Sequence, residues 1–266
     1  MVYAHAIINR AYQNILDCME LYLLIALGIV SLVVGVLAAV VGSSQIILLP
    51  IMTFFGMPIH SAIGTFKIAA VARDLSSTIN YRRKKLINIR KTSPFFLSGI
   101  VGAILGANIV ISLPAKTVES AIGVLMILLA VLIFNDNLQK IVARIPKHHN
   151  KFWLVTLGFV VGLYEGFYGA GDTLFMIAIF VSLLKFDFLR SAANARLVNL
   201  VQAAFSATVF GIRGLIDFTV ALPIIIGLSL GAWYGVEIAT KIGKEWIKRI
   251  FIVFTILLGL KFILFH

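Results

Sequence analysis

Apolar positions in this chain form long unbroken runs instead of the alternating faces of a soluble protein. A helix needs about 20 apolar residues to cross a bilayer. Runs of about that length occupy residues 21–41, 94–113, 117–134, 152–168, 219–240 and 250–265. The first run is too long for the core of a cleavable signal peptide. The pattern predicts an all-α, polytopic integral membrane protein with little chain left for a soluble domain.

The same order of segments occurs twice along the chain. "VVGVLAAVVGSSQ" (33–45) aligns with "VVGLYEGFYGAGD" (160–172) at an offset of 127 residues. "HSAIGT" (60–65) aligns with "RSAANA" (190–195) at 130, and "LINI" (86–89) with "LIDF" (215–218) at 129. Ordered matches with nearly constant offsets indicate an internal repeat. We expect a lead-in at 1–20, a first repeat at 21–135, a linker at 136–151 and a second repeat at 152–266.

Each repeat is predicted to hold five segments, named a to e. In the first repeat they lie at about 21–41, 44–56, 59–80, 94–113 and 117–135. Segment b is short in both copies (44–56 and 171–184), and only a Gly-rich turn separates it from segment a. Segments a and b are therefore either two tightly joined passes or a hairpin that enters the membrane partway.

Basic residues in the links predict the orientation of each repeat, because cytoplasmic loops are enriched in Lys and Arg. The first c–d link, "YRRKKLINIRK", is strongly basic, whereas its counterpart "GIRGLID" has one Arg and one Asp. The d–e links show the opposite bias, and the linker with Lys140, Arg144 and Lys147 is again basic. Equivalent links on opposite sides require an odd number of crossings per repeat. The sequence thus predicts inverted-topology repeats, the architecture typical of secondary transporters.

Composition supports this prediction and excludes other classes. The 266 residues are 61% hydrophobic and 13% charged, with a mean hydropathy of +1.03. The net charge of +12 comes from basic residues in short links, so we expect a lipid bilayer and no nucleic acid as partner. The single cysteine, Cys18, excludes an intrachain disulfide. No HxxxH or HExxH motif occurs, so we expect neither an enzyme nor a metal or other cofactor.

Ionisable residues inside segment c are the main candidates for a binding site. Such residues are costly in a bilayer and mark functional sites. Lys67, Ala70, Asp74 and Ser77 share one helix face, and the second repeat gives the same pattern with Arg196, Asn199, Ala203 and Ser206. Two converging cations would favour an anionic substrate. Alternatively, Lys67 and Asp74 neutralise each other directly or through Arg73, and Arg196 pairs with Glu165 or Asp172.

The Gly-rich turns before segment b are a second candidate element. Free backbone N–H groups at a helix start attract anions. This predicts substrate contacts at Ser43, Ser44 and Gln45 in the first turn and at Ala170 and Gly171 in the second. Close helix packing through small residues is the alternative. Asp172 either caps segment b or, like Glu165 and Asp74, serves charge balance or proton coupling.

Several of these motifs together resemble the TauE/SafE family of sulfite and organosulfonate exporters. The resemblance rests on the two Gly-rich turns, Pro50, "MPIHSAIGT", the basic "YRRKK" link and "GAILGA", and it covers about residues 25–265. It implies a multi-pass transporter of the prokaryotic inner membrane for small sulfur-containing anions. By position it places Gly42, Ser43, Ser44, Gly169, Ala170, Gly171, Gly64 and Thr65 at the site. "AANAR", with Asn194, stands where the second Gly-Thr pair is expected, and the second turn ends in Asp172.

The sequence therefore predicts a carrier that exports a small sulfur-containing anion from a site near the membrane midplane. A channel, or a carrier of another small anion such as a carboxylate or sulfate, is the main alternative. A negative interior assists each outward-moving negative charge by about 2.3 kcal/mol per 100 mV, so export needs no coupling ion. The buried acids keep protons as a candidate coupling ion.

Overall fold

The computed structural model describes residues 22–36, 44–134 and 151–239, and these segments are helical. The first half contributes α1 (Tyr22–Val36), α2 (Gln45–Phe54), α3 (Ile59–Arg83), α4 (Ile89–Ser112) and α5 (Ala115–Phe134). The second contributes α6 (Lys151–Phe167), α7 (Asp172–Leu184), α8 (Phe188–Ile212) and α9 (Phe218–Ala239). The predicted all-α fold is confirmed for these residues. The last predicted segment, near 250–265, lies outside the described residues.

Helix bounds recur between the two halves at a nearly fixed spacing. Helices α3 and α8 both contain 25 residues, and they begin at residues 59 and 188, which are 129 apart. Helices α4 and α9 begin at residues 89 and 218, again 129 apart. The starts of α2 and α7, at 45 and 172, differ by 127. At a spacing of 129, Arg196 is the direct counterpart of Lys67, one residue away from the counterpart that the sequence alignment gave.

The two copies of segment b are too short to cross a membrane on their own. Helix α2 has 10 residues and α7 has 13, so they rise about 15 and 20 Å at 1.5 Å per residue. The hydrocarbon layer is about 30 Å thick. Their lengths favour a hairpin that enters partway over two complete passes.

Polar and apolar residues occupy the positions typical of a membrane protein, with apolar side chains outside. Helix α4 buries small residues such as Gly99 and Ala103, while Leu97, Val101 and Leu105 are exposed in steps of four residues. This exposed stripe suits contact with lipid. Within the described residues, two helices are long and apolar enough to span a bilayer by length and composition, Ile89–Ser112 and Phe188–Ile212.

Glycines allow two pairs of helices, α4 with α6 and α9 with α1, to approach backbone to backbone across the two halves. A Cβ on Gly102 of α4 would collide with the Phe159 carbonyl oxygen and lie 3.1 Å from the carbonyl carbon of Gly162 in α6. A Cβ on Gly231 of α9 would lie 2.9 Å from the Cα of Gly35 in α1. These are equivalent pairs, because Gly102 corresponds to Gly231 and Gly35 to Gly162. "GAILGA" and "GAWYG" therefore serve helix packing.

Two hydrogen bonds fix how the central helices α3 and α8 run. The Asn88 backbone N–H, beyond the end of α3, donates to Asn194 Oδ1 near the start of α8 at 2.9 Å. The Asp217 N–H, beyond the end of α8, donates to Thr65 Oγ1 near the start of α3 at 3.0 Å. Helices α3 and α8 are therefore antiparallel. Their equivalent links lie at opposite ends of the pair, which we call the Asn88 end and the Asp217 end.

Helices α4 and α6 run in the same direction. Gly99 of α4 lies against Gly158 of α6, and Gly106, further along α4, lies against Phe167 at the end of α6. Because α4 begins at the Asn88 end, α6 begins there too. The basic link before α4 and the start of α6 thus lie at one end of the bundle, as expected if that end is on the cytoplasmic side.

Candidate functional site

A cluster of buried charged residues lies where the two halves meet. Within the described residues it contains three cations and three acids, all less than a tenth exposed. They come from α3, from the α6–α7 turn region and from α8: Lys67, Arg73, Asp74, Glu165, Asp172 and Arg196. Charges at such depth need partners of opposite charge or hydrogen bonds. The partners decide what the site can do.

Lys67 holds the C-terminal end of α6. Its Nζ lies 2.7 Å from Glu165 Oε1 and also donates to the backbone carbonyls of Glu165 and Tyr168. The other carboxylate oxygen of Glu165, Oε2, accepts from Ser206 Oγ at 2.8 Å. A cation at a helix C-terminus is favoured by the unpaired carbonyls there. Lys67 is thus bound by both a carboxylate and the end of a helix.

Asp74 is shared by two arginines. Its carboxylate receives two hydrogen bonds from Arg73, Nε to Oδ1 at 3.0 Å and Nη2 to Oδ2 at 2.8 Å. Arg196 Nη1 of the opposite half lies 3.0 Å from Oδ1. Arg73 also donates from Nη1 to Ser44 Oγ at 2.5 Å, at the start of α2. The guanidinium groups of Arg73 and Arg196 thus join α2, α3 and α8 through several hydrogen bonds.

Asp172 is held by neutral donors. Its Oδ1 accepts from the Thr173 backbone N–H and from Asn199 Nδ2, the latter at 3.2 Å. Within the part of the chain that the structure describes, no cation lies within 4 Å of this carboxylate. Asp172 is the first residue of α7, where a negative charge is favoured by the helix dipole.

A small cavity lies inside the charged cluster. It is bordered by Gln45, Phe66, Lys67, Ala70, Arg73, Asp74, Glu165, Gly169, Asp172, Asn199 and Ala203. Its free volume is about 10 Å³, roughly the space for one water molecule. Equivalent positions face it from both halves: Gln45 and Asp172, Ala70 and Asn199, and Asp74 and Ala203. The cavity therefore lies at the symmetry centre of the two halves.

Two unsatisfied polar atoms belong to the cavity wall. Within the described residues, Gln45 Nε2 and Asn199 Oδ1 are buried and have no hydrogen-bond partner. Buried polar groups are nearly always paired, so an unpaired donor beside a cavity suits a ligand. Gln45 is the first residue of α2 and borders the cavity.

The structure brings many of the predicted site residues to this cavity. Lys67, Gln45, Asn199, Asp74, Glu165 and Asp172 border it, and Ser44 and Arg196 contact bordering residues through hydrogen bonds. Gly171 begins the turn into α7 with φ of +77°, and the Ala170 carbonyl accepts from Tyr164 Oη. Gly42 and Ser43 lie outside the described residues. That these residues bind substrate stays a prediction.

Three predicted substrate contacts lie elsewhere. A Cβ on Gly64 would lie 2.6 Å from the Leu215 carbonyl oxygen, and Thr65 bonds Asp217, so both contact the link at the Asp217 end. Asn194 contacts the opposite link, accepting from the Asn88 N–H and donating to the Leu86 carbonyl. The geometry gives these residues a role in joining helix starts to links.

The predicted ion-pair alternatives named the right residues but the wrong partners. Lys67 pairs with Glu165 and not with Asp74. Arg196 pairs with Asp74 and not with Glu165 or Asp172. The reason is tertiary: α3 lies next to the end of α6 and next to α8, so Lys67 and Arg196 each reach an acid of the other half.

Sequence reasoning missed Arg73 as a cavity residue, whereas the family resemblance places Gly169, which also borders the cavity, at the site. The ion-pair alternative gives Arg73 only a bridging role between Lys67 and Asp74, although an arginine within a membrane segment is itself a signal. Gly169 has φ of +87°, and a Cβ there would lie 3.0 Å from Lys67 Nζ. Glycine is needed because the backbone is left-handed and the lysine lies close.

Comparison with known proteins places this arrangement in a family. The family model described as "Sulfite exporter TauE/SafE" matches residues 27–262. The chain belongs to the TauE/SafE family. No solved structure matches it.

Curated TauE/SafE relatives are similar over nearly their whole length. "Probable membrane transporter protein ORF9" of Sinorhizobium sp is 26% identical over 90% of this chain and 92% of its own. A "Probable membrane transporter protein" of Haemophilus influenzae is 26% identical over 91% and 94%. The protein YfcA of Escherichia coli K12, with the same description, is 24% identical over 90% and 89%. This TauE/SafE member is thus a membrane protein whose relatives are described as membrane transporters.

Proposed function

We propose that this chain is a multi-pass transporter of the prokaryotic inner membrane that exports small sulfur-containing anions such as sulfite or organosulfonates. The observation that carries the proposal is the cavity at the symmetry centre, bordered by Lys67 and Arg73 and by the unpaired donor Gln45 Nε2. The family description names a sulfite exporter. A tetrahedral or pyramidal oxyanion offers several acceptor oxygens to such donors.

The residues are assigned to substrate binding as follows. Lys67 and Arg73 supply positive charge, and Gln45 and Asn199 supply neutral hydrogen bonds. Arg196 contributes through Asp74, whose carboxylate it shares with Arg73. An incoming anion would replace a carboxylate as the partner of these cations. Three buried acids already balance the three cations, so an anion competes with these carboxylates for the same cations and adds a buried negative charge.

The mechanism we propose is alternating access between inverted repeats. The cavity holds about one water molecule, so an anion larger than water requires movement of the surrounding helices. Antiparallel α3 and α8, with equivalent links at opposite ends, provide two related routes from the centre. Carriers of this kind expose a central site to one side at a time.

Two acids remain candidates for coupling. Glu165 borders the cavity and is released from Lys67 whenever an anion takes its place. Asp172 lacks a cationic partner within 4 Å in the described residues and borders the same cavity. Export of an anion is already driven by a negative interior. Coupling would add a second driving force.

A ligand screen on purified protein tests the proposed substrate class. Thermal unfolding is measured with sulfite, sulfate, thiosulfate, taurine, sulfoacetate and acetate. A ligand that binds only the folded state raises the melting temperature. We expect stabilisation by the sulfur oxyanions and not by acetate. A response to acetate alone would assign the site to carboxylates.

A channel for the same anions is the second candidate function, since similar residues could line a pore. Counterflow in proteoliposomes separates the two. Vesicles loaded with unlabelled anion should accumulate labelled anion transiently if the protein is a carrier. With the membrane voltage held at zero by valinomycin and equal K⁺ on both sides, a channel gives no such overshoot.

A further inference from the structure

A second cleft lies on α3 beyond the central cavity. It is bordered by Ser77, Asn80, Tyr81 and Lys84 of α3 and by Trp233 of α9. Its free volume is about 10 Å³, similar to that of the cavity. Lys84 immediately follows the end of α3, so the cleft lies at the Asn88 end. That end is the predicted cytoplasmic side.

One face of α3 joins the cavity to the cleft. Lys67, Ala70 and Asp74 border the cavity, and Ser77, Tyr81 and Lys84 continue in steps of three and four residues to border the cleft. From Asp74 to Ser77 the helix rises only about 4.5 Å. The two spaces are therefore separated by less than one helical turn.

The Asp74 cluster occupies the level between the two spaces. Asp74 is fully buried and bonded to Arg73 and Arg196, which ties α3 to α8 at this depth. Below it, Ser77, Asn80 and Tyr81 are partly exposed, and Lys84 is exposed. Polar, increasingly accessible side chains with a cation at the mouth suit the passage of a small anion.

The equivalent face of α8 is closed. Ser206, the counterpart of Ser77, is fully buried and donates to Glu165. Phe210, the counterpart of Tyr81, is fully buried in the apolar core, against which Val209, the counterpart of Asn80, also packs. Towards the Asp217 end the cavity therefore meets packed apolar side chains. The space beside α3 is therefore polar and partly exposed, whereas the equivalent space beside α8 is filled by packed side chains, although the two halves are related.

From these observations we propose that the anion passes between the cytoplasm and the central cavity along the polar face of α3, with the Asp74 pairing to Arg73 and Arg196 as the gate on this route. The anion replaces Asp74 as the partner of the arginines and so opens the gate as it passes. The pairing of Lys67 with Glu165, together with Phe210, closes the opposite route in this conformation. The proposal rests on the proposed function as an anion transporter.

Cysteine accessibility tests the route. The one natural cysteine is first removed by Cys18→Ser, and single cysteines are introduced as Asn80→Cys in the cleft, Ala70→Cys in the cavity and Val209→Cys as the matched control on α8. Each is treated with the anionic, membrane-impermeant thiol reagent MTSES on inside-out vesicles and on intact spheroplasts. The similarly sized cationic reagent MTSET reports on charge selectivity.

We expect Asn80→Cys and Ala70→Cys to react with MTSES from the cytoplasmic face, and Asn80→Cys should react faster than Ala70→Cys. Val209→Cys should react at least about tenfold more slowly than Asn80→Cys. Asp74, Glu165 and Asp172 border that space together with Arg73 and Lys67. MTSES should react faster than MTSET at Ala70→Cys, because an anion exchanges with the carboxylates that pair with Arg73 and Lys67 in the proposed passage. Asp74→Asn in the Ala70→Cys background should raise the rate of MTSES labelling several-fold. If Asp74→Asn fails to fold, Arg196→Gln, which removes a partner of Asp74, should raise that rate as well. Sulfoacetate should slow labelling at Ala70→Cys.

Labelling of Ala70→Cys from the outside only, or equal rates at Asn80→Cys and Val209→Cys, would overturn the route. An unchanged rate at Ala70→Cys in both gate variants would overturn the gate. Labelling that is measured without added substrate anion does not depend on substrate binding. If the labelling contradicts the route but anions still stabilise the wild-type protein, the route is wrong and the proposed function stands. If no anion binds the wild-type protein, the proposed function is rejected, and the labelling still reports the accessible path.

Discussion

Lys67 Nζ lies 2.7 Å from Glu165 Oε1, so a cation of the first half is neutralised by an acid of the second. The counterpart of Lys67 is Arg196, but the counterpart of Glu165 is Ala38, which has no charge. Arg196 pairs instead with Asp74, whose own counterpart is Ala203. The acids break the symmetry of the repeats, while each of the three clustered cations pairs with an acid, in two cases across the halves.

Loss of either cation should abolish anion binding. We expect Lys67→Ala and Arg196→Ala to remove the stabilisation that sulfur oxyanions give to the wild-type protein, because each removes positive charge from the buried cluster. Thermal shift titration measures the effect, and size-exclusion chromatography confirms folding. Lys116→Ala, at an exposed lysine, is the matched control. Near-normal affinity in both variants would reject the anion site.

Neutralising Glu165 should strengthen anion binding. In Glu165→Gln the carboxylate no longer competes for Lys67, so we expect anion affinity to rise by about tenfold, or ~1.4 kcal/mol. Asp172→Asn removes a charge from the same cavity wall without releasing a paired cation, and its effect should be smaller. Equal gains in the two variants would show that net charge alone sets affinity, contrary to the competition that we propose.

The hydrogen bonds between helix starts and links should contribute to stability and not to anion affinity. Asn194→Ala removes the acceptor of the Asn88 N–H and the donor to the Leu86 carbonyl. We expect a loss of about 1–3 kcal/mol in the free energy of unfolding. Thr65→Val, which removes one acceptor, should cost less. Thermal unfolding of the two variants gives the comparison, and a large loss of anion affinity in a folded Asn194→Ala variant would return that residue to the binding site.

Close packing of α4 on α6 should tolerate no side chain at Gly102. Gly102→Val places atoms against the Phe159 carbonyl, so we expect little folded protein in detergent. Gly211→Ala is the control, because a Cβ there meets only Ile216 at 3.5 Å. Fluorescence-detected size-exclusion profiles measure the folded fraction. Equal monodisperse peaks would show that the interface can separate.

The sequence by itself determined the membrane class, the repeat and the helix order. Runs of apolar residues specify helices in lipid, since backbone groups there must pair within the segment. The recurrence of motifs at 127–130 residues located equivalent helices, and the charged residues of segment c identified the cluster because ionisable groups are rare in such segments. These signals are local, so they are readable along the chain.

Only the tertiary structure decided which acid meets which cation. Lys67 and Glu165 are 98 residues apart, and Asp74 and Arg196 are 122 apart, so their pairing depends on how α3, α6 and α8 pack. Helical spacing suggested Lys67 and Asp74 as partners because it relates only residues of the same helix. The roles of Thr65 and Asn194 were equally hidden, since each bonds a link of the other half. Contacts across the halves depend on the antiparallel packing of α3 and α8, which no single segment encodes.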